Sequence, residues 1–142
     1  MSARHAAGLT VGLWAVMMAA PLAGQDPQPA ESAVDAPVYE LRTYVTVPGR
    51  LPALHQRFRE HTVKLFEKHG MENVIYWTPA DKEDTLVYVL KHKSRDAADK
   101  SWTAFRNDPE WKKAQMESER DGKIVEKVER VWLTTTDYSP QK

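Results

Sequence analysis

Polar and apolar residues alternate along VYELRTYVTV, residues 38–47, and this period of two predicts a β-strand. Successive side chains of a strand point to opposite faces, so Glu40, Arg42 and Tyr44 share one face. The other face carries Tyr39, Leu41, Thr43, Val45 and Val47. We expect this second, more apolar face to pack on helices, which would leave the first face uncovered.

The next segments predict further helices and strands. Residues 51–70, LPALHQRFREHTVKLFEKHG, carry apolar residues at helical spacing and end at Gly70, a residue typical of helix ends. MENVIYWTP and TLVYVLKHK predict two strands. RDAADKSWTAFRN predicts a second helix capped by Ser94, and DPEW predicts a new helical start capped by Asp108.

The last segment, KIVEKVERVWLTTTDYS, fits two periodicities. Its apolar residues would form a helical stripe, but its β-branched residues and its run of threonines favour a strand. A strand there completes the order βαββαβ. That order predicts an α+β, ferredoxin-like fold, an antiparallel sheet with two helices on one face.

The N-terminus differs in composition from this folded part. Arg4 and His5 precede a short apolar run and the small residues of PLAGQD, which predicts a signal peptide over residues 1–24. The run is shorter than the roughly 20 apolar residues of a membrane span, although an uncleaved anchor remains the alternative. Residues 25–37 are rich in Pro, Ala and acidic residues and predict a disordered linker before a domain at 38–140. We expect a periplasmic or secreted protein that is not inserted in the membrane after cleavage.

Composition and motifs exclude several functional classes. Lys+Arg and Asp+Glu both total 20, so the sequence lacks the basic excess of nucleic-acid-binding domains. Cysteine is absent, which excludes disulfides and thiol nucleophiles. The five histidines form no HExxH motif, and GxGxxG, GxxxxGK and GxSxG are missing. We therefore expect no metal and no cofactor, with haem as a remote option.

A few residues are candidates for a small-molecule site. His61 falls between Phe58 and Leu65 on the apolar side of the first helix, so we expect it to point toward the sheet. There it would be a candidate acid, base or haem ligand, or else a core histidine. Four aromatic residues could line a pocket between helices and sheet, or could simply be core: Tyr39, Trp77, Trp102 and Phe105.

The uncovered sheet face raises the question of a partner. With the apolar residues of the later strands added, it is too apolar to be left in water, and such faces mark interfaces. A second copy of the chain could cover it and bring Glu40 near the Arg42 of that copy. Alternatively, Glu40 and Arg42 make cross-strand pairs within one chain.

YELRTYVTVPGRL, HG before the second strand, Trp77, LVYVL, DPEW and the terminal TDYSP together resemble the NIPSNAP family. The resemblance spans about residues 38–140. It implies a dimeric α+β barrel, in which the sheet of each subunit packs on that of its partner, and it implies that the last segment is a strand. Animal members are mitochondrial and linked to protein interactions, but the predicted signal peptide departs from them, so that role is not carried over.

Two functional hypotheses follow. The first is an exported, homodimeric binding or interaction module whose partners are a second copy and a small molecule or another protein. The second is a small-molecule enzyme of the cofactor-free monooxygenase or isomerase type, with its pocket between helices and sheet. The second predicts a concave apolar cavity that contains His61.

Overall fold

The structure is a computed structural model that describes residues 37–140, so the predicted signal peptide and residues 25–36 of the predicted linker lie outside the described residues. Its elements are β1 (Val38–Thr46), α1 (Leu51–Arg57), a π-helical turn (Phe58–Thr62), α2 (Val63–Lys68), β2 (Glu72–Trp77), β3 (Thr85–His92), α3 (Arg95–Asn107), α4 (Pro109–Ser118) and β4 (Val125–Leu133). The π-helical turn joins α1 and α2 into one continuous helix. The predicted order βαββαβ is confirmed.

The four strands form one antiparallel sheet in the order β2-β3-β1-β4. The last segment is a strand, as the resemblance implied, and it pairs with β1 from Tyr39 opposite Leu133 to Thr46 opposite Val125. Helices α1 to α4 cover one face of this sheet. The prediction of an α+β, ferredoxin-like fold is confirmed.

The core lies between the helices and the sheet. The predicted apolar stripe of the first helix is buried throughout: Leu51, Leu54, Phe58, Leu65 and Phe66. Tyr88 and Leu90 of β3 meet it from the sheet, and Trp102 and Phe105 meet it from α3. Full burial of one such apolar side chain contributes about 1.5–3 kcal/mol, so this layer fixes the helices on the sheet.

The helix ends form as the sequence predicts. Ser94 Oγ accepts a hydrogen bond from the Ala97 amide at 3.1 Å and caps α3. Asp108 Oδ1 accepts one from the Glu110 amide at 2.8 Å and caps α4. Gly70 follows α2 with a φ of +76°, a conformation that a side chain would disfavour.

The prediction of which face of β1 the helices cover is wrong. Glu40 is completely buried beneath α3, and Tyr44 packs edge-on against Phe58 of the first helix. Glu40, Arg42 and Tyr44 therefore face the helices rather than an uncovered barrel face. Arg42 Nη1 lies 2.7 Å from Glu40 Oε1, and this pairing of opposite charges offsets the cost of burying the carboxylate under the helices.

The opposite face, which we call the open face, carries apolar side chains from all four strands. It is formed by Tyr39, Leu41, Val45, Ile75, Trp77, Val87, Val89, Val131 and Leu133. The segment after β4 contributes Thr134, Thr135, Thr136 and Ser139 to a shallow cleft of about 340 Å³ across part of this face, which Tyr39, Val89 and Trp77 also line. Among the described residues, no helix covers the open face.

Candidate functional site

A buried polar cluster lies under α3, formed by Glu40, Arg42, His92 and Trp102; we call it the Glu40 cluster. Three donors converge on the Glu40 carboxylate. Trp102 Nε1 donates to Oε2 at 2.7 Å, His92 Nε2 lies 2.9 Å from the same oxygen, and Arg42 Nη1 donates to Oε1 at 2.7 Å. The guanidinium also lies 4.2 Å from the centre of the Trp102 ring, which adds a cation–π contact.

The local sequence explains why these groups meet. Glu40 and Arg42 are two residues apart on β1 and so point to the same side. His92 is at the end of β3, opposite Val38, and alternation from the buried Tyr88 and Leu90 puts it on that side too. Trp102 belongs to the buried stripe of α3 that crosses above. The same alternation in TLVYVLKHK could have identified His92 from the sequence, where our reasoning missed it.

The electrostatics of the cluster favour an ionised Glu40. Burial of the carboxylate raises its pKa, but the hydrogen bonds from His92, Trp102 and Arg42, with the charge of Arg42, outweigh burial and hold the pKa below its ordinary value. The cluster therefore contains a compensated carboxylate–guanidinium pair rather than a free buried charge.

The chemistry open to the cluster is limited by burial. A carboxylate that holds one imidazole nitrogen leaves the other free to accept a proton, an arrangement used by general bases. His92 Nδ1 is buried and makes no hydrogen bond within residues 37–140. The His92 side chain is only 1% exposed, however, so a substrate in solvent does not reach that nitrogen in this conformation.

His61 does not point toward the sheet, so that expectation is wrong. Its side chain is 44% exposed and lies 3.8 Å from Glu60, beside a groove between the first helix and α4. The reason is the π-helical turn at Phe58–Thr62, which the periodicity did not predict. A π turn is wider than an α turn, so each residue advances less around the axis and His61 ends up farther from the buried side.

The four aromatic candidates do not line one pocket. Trp102 and Phe105 lie in the core, with ring centres 5.4 and 5.0 Å from that of Phe66. Tyr39 and Trp77 lie on the open face, with the sheet between them and the other two. The space between helices and sheet, where the pocket was expected, holds packed core side chains.

A different groove opens where the first helix meets the ends of β2 and β3; we call it the β2 groove. Its volume is about 460 Å³, and its walls are mainly apolar side chains, namely Phe58, Val63, Tyr76 and Leu86. His55 and Arg59 line it from the helix, and Trp77 lines it from the end of β2. Burial and the nearby Arg59 charge lower the pKa of His55, which favours the neutral imidazole. Sequence reasoning missed His55 and Arg59, although their spacing of four places them on one helix face.

Comparison with known proteins identifies the family. The NIPSNAP family model matches residues 39–140, most of this chain. The chain belongs to the NIPSNAP family. No curated protein sequence matches it significantly.

Solved NIPSNAP structures share the fold. A NIPSNAP family protein of unknown function from Agrobacterium tumefaciens strain C58 is 22% identical with a TM-score of 0.66, and the match covers 76% of this chain and 96% of that one. A second protein of the family from the same strain is 17% identical with a TM-score of 0.66, covering 75% and 99%. An uncharacterized NIPSNAP-like domain protein from Burkholderia xenovorans is 14% identical with a TM-score of 0.64, covering 75% and 90%. At these identities the likeness concerns the fold alone.

Residues 37–140 show neither a metal-binding cluster nor a membrane-spanning helix. Residues 37–140 contain no group of three or more His, Asp or Glu side chains that could hold a metal ion. No helix in that range is long and apolar enough to cross a membrane.

Proposed function

We propose that this NIPSNAP protein is an exported binding module that functions as a homodimer, joined through the open face of its sheet. The observation that carries the proposal is the apolar character of that face. Trp77 is 48% exposed and Val131 51% exposed, while Ile75 and Leu133 are each 39% exposed. Large contiguous apolar patches of this kind mark interfaces, since water disfavours them.

The edge strand β4 favours pairing by faces rather than by edges. The open edge of a sheet can recruit another strand, and proteins suppress this with charged residues. Four of the five residues at 126–130 in β4 are charged, namely Glu126, Lys127, Glu129 and Arg130. These charges disfavour the pairing of another strand with this edge. Lys127 and Glu129, which share the open face, also pair with each other at 2.5 Å.

A second copy is the occupant that fits the open face best. Most side chains of the face are apolar and the charges of Lys127 and Glu129 pair with each other, so two identical copies can pack their apolar residues together, and a twofold arrangement makes the patch its own complement. The solved relatives share the fold, and the resemblance to dimeric α+β barrels implies this same contact. Tyr138, in the segment that crosses the face, is 84% exposed and could add to the contact.

The filled interior of the domain supports a binding role over the enzyme alternative. The enzyme hypothesis requires a cavity between helices and sheet that contains His61. Packed aromatic side chains occupy that space, His61 lies outside it, and the Glu40 cluster is closed to solvent. The β2 groove at the sheet edge is an accessible concave surface with mainly apolar walls.

The dimer is tested by a matched pair of substitutions on β4. Val131 lies on the open face opposite Leu41, and Val128, 45% exposed, lies on the helix side opposite Tyr44. We expect light scattering at micromolar concentration to give twice the chain mass for the wild type and for Val128→Glu, but the chain mass for Val131→Glu. A monomeric wild type, or equal behaviour of the two variants, would contradict the proposal.

Export rests on the N-terminal sequence pattern alone. The apolar run after Arg4 and His5, followed by PLAGQD, is the pattern that a signal peptidase recognises. Expression of the full chain in a bacterium, followed by fractionation and N-terminal sequencing, should find a periplasmic protein that begins near Gln25. A full-length cytoplasmic product would refute this part of the proposal.

A further inference from the structure

The β2 groove has the size and the lining of a small-molecule site. Its volume of about 460 Å³ lies within the roughly 300–1,000 Å³ of typical ligand pockets. Phe58 and Leu86 also belong to the buried core, so the groove floor is rigid and apolar. A ligand that fills such a groove must present an apolar body to it, because apolar walls offer no hydrogen bonds to a polar one.

The charged side chain in the lining of the groove is the guanidinium of Arg59. His55 and Arg59 line the groove, and none of its lining residues is acidic. Arg59 makes no hydrogen bond or ion pair within residues 37–140. Glu60 and Glu67 belong to the same helix but do not line the groove; Glu60 accepts a hydrogen bond from Gln56, and Glu67 accepts one from Asn73.

The π-helical turn is a second, independent observation at the same place. Phe58 and Arg59 are its first two residues, and both line the groove. Thr62 Oγ1 donates a hydrogen bond to the Arg57 carbonyl oxygen at 3.2 Å and so gives that backbone carbonyl a partner where the helix changes its geometry. Single π turns inside α-helices occur frequently at functional sites.

We propose that the β2 groove binds a small monocarboxylate with an apolar chain. The planar guanidinium of Arg59 holds the carboxylate, for which its fork of donors is well suited, and Phe58, Val63 and Leu86 hold the chain. The Tyr76 hydroxyl donates to Asn73 Oδ1, so it contributes an apolar ring rather than a free donor. Trp77 lies both at this groove and on the open face, so the ligand would bind beside the proposed dimer contact.

The test is calorimetric titration of the protein purified from the periplasm with octanoate and with octan-1-ol, which has the same chain and no charge. We expect octanoate to bind about tenfold or more tightly than octanol, because a hydrogen-bonded charge adds to the apolar contact. Arg59→Gln should weaken octanoate binding about tenfold and leave octanol binding unchanged. Arg106→Gln, at an exposed arginine of α3 outside the groove, is the matched control and should change neither.

Three results would overturn this proposal: no octanoate binding at millimolar concentration, equal affinity for the two compounds, or the same loss in Arg106→Gln as in Arg59→Gln. Thermal unfolding of both variants shows whether the fold is kept. The ligand proposal rests on the proposed binding role. Light scattering on the same samples distinguishes a failure of the ligand proposal from a failure of the dimer proposal. A dimer that ignores octanoate would refute the ligand alone, and a monomer that binds octanoate would refute the dimer alone.

Discussion

At the scale of single residues, substitution of Glu40 has the largest expected effect on the free energy of unfolding. Glu40→Gln would remove the negative charge that faces Arg42 and would turn an amide toward the donors of Trp102 and His92. Breaking a buried pair from one side costs about 3–5 kcal/mol, because the remaining charge stays buried without compensation. Chemical denaturation at one fixed protein concentration should show this loss. Glu126→Gln, at an exposed glutamate of β4, is the control and should change the unfolding free energy by less than about 0.5 kcal/mol.

The contribution of Glu40 to stability should also depend on pH, with a defined sign. Its folded pKa lies below the ordinary value of 4.5, so its contribution is fully present above pH 4.5 and is lost as the pH falls through the folded pKa. The difference in unfolding free energy between wild type and Glu40→Gln should therefore be constant near neutrality and shrink below about pH 4.5. A difference that stays constant to pH 3 would show that the charge of Glu40 does not stabilise the fold.

The sequence predicted part of this cluster. Alternation along β1 correctly grouped Glu40, Arg42 and Tyr44 on one face, but it contains no information about which face the helices cover. The buried carboxylate is compensated by Arg42 on the same strand and also by hydrogen bonds with His92 and Trp102, which are distant in sequence and reach Glu40 only in the folded chain. The charged residues Glu40 and Arg42 therefore lie under the helices, whereas we had expected them on the sheet face that the helices leave uncovered.

At the scale of elements, Asp108 joins three helices. Its Oδ1 caps α4, and its Oδ2 lies 2.9 Å from Lys68 Nζ and 2.7 Å from His69 Nε2 at the end of α2. Hydrogen bonds from Lys68 and His69 hold the pKa of Asp108 well below its usual range. Asp108→Asn would keep the cap and lose the ion pair, whereas Asp108→Ala would lose both. We expect thermal denaturation to rank stability as wild type, then Asn, then Ala; equal melting temperatures for Asn and Ala would refute a capping role.

Element order and helix caps were predictable, but the π-helical turn was not. Caps depend on one residue and its neighbours, as at Ser94 and Asp108, and leave a local signature. The π-helical turn leaves no such local signature: its first residue, Phe58, and Leu65 beyond its end both lie in the core, which is a tertiary arrangement. Because the sequence prediction lacked this turn, it gave His61 the wrong orientation.

At the scale of the whole molecule, the fold followed from the pattern of strands and helices, and the family model and solved relatives agree with it. The functional surfaces did not follow from that pattern. The β2 groove is built from three segments that only the fold brings together, and the open face was assigned to the wrong side of β1. The two surfaces for which we propose a function are therefore ones that only the packed fold defines.

The central claim is that a second copy buries the open face, and thiol labelling tests it most directly. The natural chain contains no cysteine, so Val131→Cys and Val128→Cys each introduce one thiol at a half-exposed position on opposite faces of β4. We expect maleimide to modify Val128→Cys rapidly and Val131→Cys slowly in the native protein, and to modify both equally after denaturation. Equally rapid labelling of both variants in the native protein would contradict the claim.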